Sequence, residues 1–332
     1  MRPVLIFSIM CPLVLVIAAT NICIGGVSLD LGDILNVLIR PGEDLTSFIV
    51  WNIRLPRTIA TITGGAILSV SGLLLQVYFR NPIVGPFILG ISSGATLMVS
   101  IVMLTSISFS LPLPAPYVTT IFAMIGAFMV ILLVMGVAAR VRSGITLLIV
   151  GLMVGYLCHA VTSILMAFAE KQQIKGFILW QLGSFNGFKW DEIRLLIGLG
   201  GFLMLLSITL SKPLNALLLG EDYAMSMGIN VKRTRVIVLS CACALAGLIT
   251  SMAGPVAFIG LAVPHMSRMI FATSDNRILL PGVMVIGALV TSLCDLVARS
   301  VLTPVELPLS AITAFFGAPV VISLLMKRRV DL

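Results

Sequence analysis

The stretch Gly90-Ile91-Ser92-Ser93-Gly94 reads G-x-S-x-G. At that spacing a serine nucleophile can stand on a sharp turn between a strand and a helix. His159 and His265 are the only histidines, and either could act as its base. The stretch opens an apolar run instead of following a strand, so close packing of small residues also accounts for it. An intramembrane serine protease using Ser92 or Ser93 therefore stands as an alternative. Two histidines are too few for a histidine-built metal centre, and the six cysteines contain no C-x-x-C pair. No G-x-x-x-x-G-K-[ST] occurs, so the chain lacks a P-loop. Asp295 is an acid inside an apolar run, one turn before Arg299, and an i,i+4 ion pair is the economical reading. An ion-coupled secondary transporter would call for clustered carboxylates. Arg54-Leu55-Pro56-Arg57 is a further candidate. Pro56 suits the first turn of a helix, which sets both arginines against the helix dipole. They could anchor to lipid phosphate, or serve as fixed cations for a partner's carboxylates through bidentate pairs.

The elements that must position these residues are membrane helices. Hydrophobic residues make up 59% of the 332 positions and charged residues 10%, against about 25% charged in soluble domains. That balance excludes a cytosolic enzyme, a secreted disulfide scaffold and a disordered chain. Apolar stretches fall at about 3–25, 56–79, 88–110, 116–139, 145–169, 193–211, 235–254, 256–272, 279–300 and 307–326, and about 20 residues suffice to cross a bilayer. The expectation is an all-α, polytopic membrane protein of about ten transmembrane helices in one domain, 1–332. The first stretch follows Met1-Arg2 like a signal peptide, but no A-x-A site follows a short apolar core, so it reads as an uncleaved span. The net charge of +8 comes from residues spread singly through loops, which argues against nucleic acid. Thirteen of the 21 Lys and Arg residues fall on one side if both termini are cytoplasmic, and eight on the other. Leu31, Ile34, Leu35 and Leu38 give the segment 28–40 the spacing of an amphipathic interfacial helix. On the opposite side the loop at about 212–235 carries a short helix that begins at Glu221-Asp222 and stops at Gly228. Small residues in the second stretch (Ala60, Gly64, Gly65, Ser69 and Gly72) allow close helix approach. Gly85-Pro86 leading to Gly90, and Gly254-Pro255 leading to Gly260, hint at an internal repeat.

RLPR at 54–57 and GGAILSVSGLLLQVYFRNPIVGPFILGISSGA at 64–95 resemble the permease family of ABC importers for iron chelates, haem and cobalamin. LGEDYAMSMGI at 219–229, GPVAFIGLAVPHMSR at 254–268, CDLVAR at 294–299 and ELPLSAITAFFGAPVVISLL at 306–325 extend the resemblance over nearly the whole chain. It implies a ten-helix, multi-pass permease of the cytoplasmic (inner) membrane, in contact with membrane lipid, that pairs with a second copy of itself around a translocation path. Two separate ATPase subunits would hold the ATP and Mg, so this chain itself would bind no cofactor. A solute-binding protein would dock on the outer face, with Arg54, Arg57 and Arg299 meeting its glutamates. Glu221, Asp222, Ala224 and Gly228 match the region that couples to the ATPase. Asn81, Pro82 and Ile83 match a cytoplasmic gate. A second gate would lie near Gly144 and Ile145, where this chain departs from the family's polar residues. His265 and Arg268 match an inner-face Pro-His motif. The solute would be a metal chelate, with an iron–siderophore first and haem, cobalamin or a molybdate-type oxyanion as the others. Met153, Met166 and Met252 are candidates for the cavity wall.

Overall fold

A computed structural model describes the backbone of all residues except 1, 26–29, 41, 43, 106–114, 141–143, 303–304 and 328–332. The described residues are helical and contain no strand. Among the described residues, seven helices are long and apolar enough to cross a membrane. They are α1 (Arg2–Cys23), the continuous helix made of α3 (Leu45–Ile49), a π-helical turn (Val50–Arg54) and α4 (Leu55–Phe79), α6 (Ala115–Arg140), α7 (Gly144–Phe168), the pair α9 (Trp190–Leu195) and α10 (Gly201–Thr209) joined by the π-turn Leu196–Gly200, α13 (Val231–Ala253) and α15 (Asn276–Ser300). Two shorter apolar helices, α5 (Ile91–Leu104) and α16 (Leu309–Lys327), and the amphipathic α14 (Ile259–Phe271) fall on the other three expected segments. The remaining helices lie between them: α2 (Leu31–Ile39), α8 (Lys171–Gln181), α11 (Ser211–Leu219) and α12 (Glu221–Ser226).

The helix α4 runs through the centre. One face packs on α15, others on α13 and α14, and nearly every residue from Gly64 to Val77 is buried. Its small residues explain how it can be surrounded. A Cβ on Gly72 would stand 1.7 Å from the carbonyl oxygen of Gly260, and one on Gly65 would stand 2.3 Å from that of Gly287. Backbone meets backbone at both crossings, so the contact leaves no room for any side chain. Ser71 adds a hydrogen bond of 2.6 Å to the carbonyl of Ala242. Pro86 of the first Gly-Pro break lies beside Gly260, the glycine to which the second break leads.

Two expectations need correction, one is refined and one helix is new. Pro56 does not open a helix, because α3 and the π-turn precede it without interruption. Proline offers no N–H to the carbonyl four residues back, and the adjoining turn is widened: the Leu55 N–H donates to Val50 O, five residues back. The amphipathic segment does form α2, but it buries Ile34 and Val37 against Val50 and leaves Leu35 exposed. The region 171–181 is a helix, with the Gln173 side chain closing back on the Glu170 N–H. Residues 211–219 also form a helix where a loop was expected, so α11 and α12 make a helical hairpin.

Candidate functional site

The C-terminus of α1, the start of α4 and the C-terminus of α15 meet at one end of the bundle. There Arg54, Arg57 and Arg299 come together, each at least nine-tenths buried. The Arg54 Nη1 donates to the carbonyls of Ile22 and Cys23 at 2.7 and 2.8 Å. The Arg299 Nη2 donates to the carbonyl and side-chain oxygens of Asn21. Two of the three arginines therefore cap the end of α1, whose last carbonyls have no partners within their own helix. Cations there complement the negative end of that helix dipole. This removes the conflict with the dipole that a helix start at Pro56 would have created.

Arg57 lies between two carboxylates. Its Nε and Nη2 approach Asp295 at 2.9–3.2 Å, and its Nη1 and Nη2 meet Glu306 at 2.7 and 3.2 Å. Asp295 does lie near Arg299, but at 3.8 Å, and the Arg299 Nε has no hydrogen-bond partner among the described residues. The i,i+4 pair is thus the weaker contact, and the pair across helices is the stronger. Glu306 and Asn21 complete this cluster, and neither stood out in the sequence. Each lies far from the arginines along the chain, with no spacing signal to join them.

Midway along the bundle, α5, α7, residues 255–257 and the start of α16 enclose a groove of about 420 Å³. Its walls include Ser92, Ser93, Thr96, Tyr156, His159 and Ser310. The lining is mainly apolar surface with several hydroxyls and one imidazole. Ser92 Oγ lies 3.4 Å from Thr250 Oγ1 on the neighbouring α13. Met166 and Met252 pack on the core instead of lining this groove, and Met153 is exposed on α7.

At the opposite end of the bundle the chain turns sharply after α4. Arg80 adopts the left-handed conformation at φ +47°, and the Asn81 side chain accepts from the Ile83 N–H at 3.0 Å. Ile83 is left exposed. His265 and Pro82 meet here: Nε2 donates to the Pro82 carbonyl at 2.9 Å, which fixes a proton on that nitrogen. Arg268 donates to Gln76 Oε1 at 2.6 Å, and Gln76 donates to Leu261 O at 3.1 Å. Gln76 is a buried amide that sequence reasoning missed, because one Gln in an apolar helix carries no spacing signal. Both α14 residues thereby hold the end of α4 and the turn that follows it. Beside them stands the α11–α12 hairpin. Ala224 is fully buried against Ala216, Leu217 and Val231, Glu221 pairs with Arg235, and Asp222 is exposed in the first turn of α12. Gly228 stops the hairpin at φ +79°. Gly144 opens α7, and Ile145 is exposed.

The FecCD transport family matches residues 13–327. The chain belongs to that family. It is 35% identical over 292 residues to the vitamin B12 import system permease protein BtuC of Salmonella paratyphi A, which covers 87% of this chain and 88% of that protein. The BtuC protein of Salmonella typhi is 36% identical over 293 residues, with the same coverage. A solved metal-chelate type ABC transporter in an inward-facing conformation superposes with a TM-score of 0.85 at 27% identity, over 97% of this chain and 99% of that one. PsaBC of Streptococcus pneumoniae, at 14% identity and a TM-score of 0.54, shares the fold alone. As a FecCD permease the chain is the membrane subunit of an ABC importer, and ATP hydrolysis belongs to a separate subunit. The serine at G-x-S-x-G is then a packing and groove residue, and the protease and secondary-transport readings fall.

Proposed function

We propose that this permease carries a metal chelate across the cytoplasmic membrane between two copies of itself, with both termini on the cytoplasmic side. The groove on α5, α7 and α16 carries the reading. Cavities of roughly 300–1,000 Å³ suit small-molecule ligands. This one contributes about 420 Å³ of one wall, with small and hydroxyl groups that offer a solute weak contacts. The helix α7 is apolar yet largely exposed, including Tyr156 and Leu157, as a helix would be that faces a passage or a second copy. The arginine end is the outer face, where a solute-binding protein docks through carboxylates. The α11–α12 hairpin is the inner contact of two ATPase subunits, and the turn at Asn81–Ile83 is the inner gate, held by His265. An iron–siderophore is the first candidate solute. The relatives named for vitamin B12 keep cobalamin in the same set, with haem and a molybdate-type oxyanion behind them.

The test is ATPase activity of the permease reconstituted with its ATPase subunit. Activity is measured with and without binding protein loaded with each chelate in turn. Stimulation by one loaded form, and uptake of that chelate into vesicles, is the expected result. Equal activity with empty and loaded binding protein for every chelate would overturn the proposal.

A further inference from the structure

The three arginines differ in what holds them. Arg54 and Arg299 are bound to the carbonyls that end α1, which cannot leave without unwinding it. Arg57 is bound on one edge by Asp295, whose side chain is 2% exposed on α15. On its other edge it is bound by Glu306, whose side chain is 39% exposed in the connection between α15 and α16. The Arg57 side chain as a whole is only 7% exposed. A carboxylate arriving from outside therefore finds the fork of Arg57 already filled, and the group that fills it is exposed and sits on a connecting segment. That segment is tied to the bundle by the Leu307 N–H on the Ala298 carbonyl at 2.8 Å. The tie fixes the backbone beside Glu306 and leaves its side-chain torsions free to turn outward.

We propose that Glu306 is a resident carboxylate that competes with the docking partner for Arg57, so that docking exchanges one carboxylate for another. This rests on the reading that Arg57 receives a carboxylate of the binding protein. The charges make the competition consequential. Three arginines face two carboxylates, and the cluster carries about one net positive charge. Loss of the Glu306 charge raises this to about two and opens the outward fork, while Asp295 still neutralises the buried edge. Charge-assisted bidentate bonds are the stronger class of hydrogen bond, so the resident pair lowers the apparent affinity for an acidic partner. Glu306 is a positioning residue: it makes no contact with the solute and sets how available Arg57 is.

The measurement is the affinity of the full importer, permease with ATPase subunits, for the binding protein that stimulates its ATPase. Glu306→Gln keeps the shape and removes the charge. It is expected to tighten docking roughly tenfold, about 1.4 kcal/mol, and to steepen its dependence on salt. Glu306→Asp keeps the charge on a shorter arm, and its docking should fall between Glu306→Gln and the natural chain. Neutralising the binding protein's docking glutamates should erase the Glu306→Gln gain, a coupling that a merely structural effect would not show. Arg57→Lys keeps the charge without the fork and should weaken docking. If Arg57→Lys weakens docking while Glu306→Gln leaves it unchanged or weaker, the exchange is overturned and the docking reading stands. If Arg57→Lys changes nothing, the docking reading itself fails, and the exchange with it.

Discussion

Asp295 shows how one side chain can decide whether a buried cluster holds together. It lies in an apolar helix between two buried arginines, with Arg57 at hydrogen-bond distance and Arg299 at 3.8 Å. Such a pair contributes little net stability compared with apolar residues of the same volume, but removing one partner leaves an uncompensated charge that costs roughly 3–5 kcal/mol. Asp295→Asn keeps the size and removes the charge. The variant should lose roughly that much stability, read as a lowered unfolding midpoint in detergent, because Arg299 would lose the carboxylate at 3.8 Å and Arg57 would keep only the half-exposed Glu306. A midpoint unchanged by Asp295→Asn would mean that Glu306 and solvent suffice for both arginines. The sequence showed Asp295 and Arg299 as neighbours on one helix face, and that much holds. It could not show that Arg57, 238 residues away along the chain, is the tighter partner. That contact depends on the crossing of α4 and α15, which the backbone approach at Gly65 and Gly287 sets.

Among the elements, the junction of α11 and α15 carries its own prediction. Asp275 caps α15, accepting from the Arg277 N–H at 2.9 Å, and also accepts from the Asn215 side chain of α11 at 2.6 Å. Those bonds to the ionised form hold its carboxyl below the ordinary carboxylate range. A carboxyl depressed in the folded state adds stability above its unfolded value, and loses it as the pH falls through the folded value. The natural chain should therefore exceed Asp275→Asn in stability at neutral pH, with the difference closing only below about pH 4, the ordinary range of an aspartate. Unfolding midpoints of both proteins across that range give the check, and a gap that persists to the lowest pH would show that the cap works without its charge. Helices of this kind were legible to different degrees. The ten apolar segments follow from hydropathy alone, since each must bury or face lipid along its length. Helix α8 and the first half of the hairpin were missed because Lys171–Gln181 and Ser211–Leu219 mix polar and apolar residues. The start at Pro56 misled because a proline that permits a helix start is equally at home after a π-turn.

At the scale of the whole molecule the two ends are built differently, and the difference supports the proposed placing of the partners. The arginine end buries its charges and presents Glu306. The opposite end presents α12, whose Ala224 is fully buried while Tyr223, Met225 and Met227 are 49–59% exposed. Apolar side chains exposed beside Glu221, Asp222 and Arg235 form a patch with a charged rim, as a protein contact would need. Glu221 is already paired with Arg235, so the apolar tip has to supply most of the attraction. Replacing both Met225 and Met227 with Asp places charge on the contact without touching the buried Ala224. The permease should then keep its unfolding midpoint and lose co-elution with the ATPase subunit on size exclusion. Ala224→Asp, by contrast, should break the hairpin's own small core and lower the midpoint as well, because a carboxylate would replace a methyl that has no room around it. Undiminished co-elution of the double Asp variant would move the ATPase contact away from α12. Under the proposed gating, the movement that opens the Asn81–Ile83 turn would then have to reach it through α14, by way of His265 and Arg268.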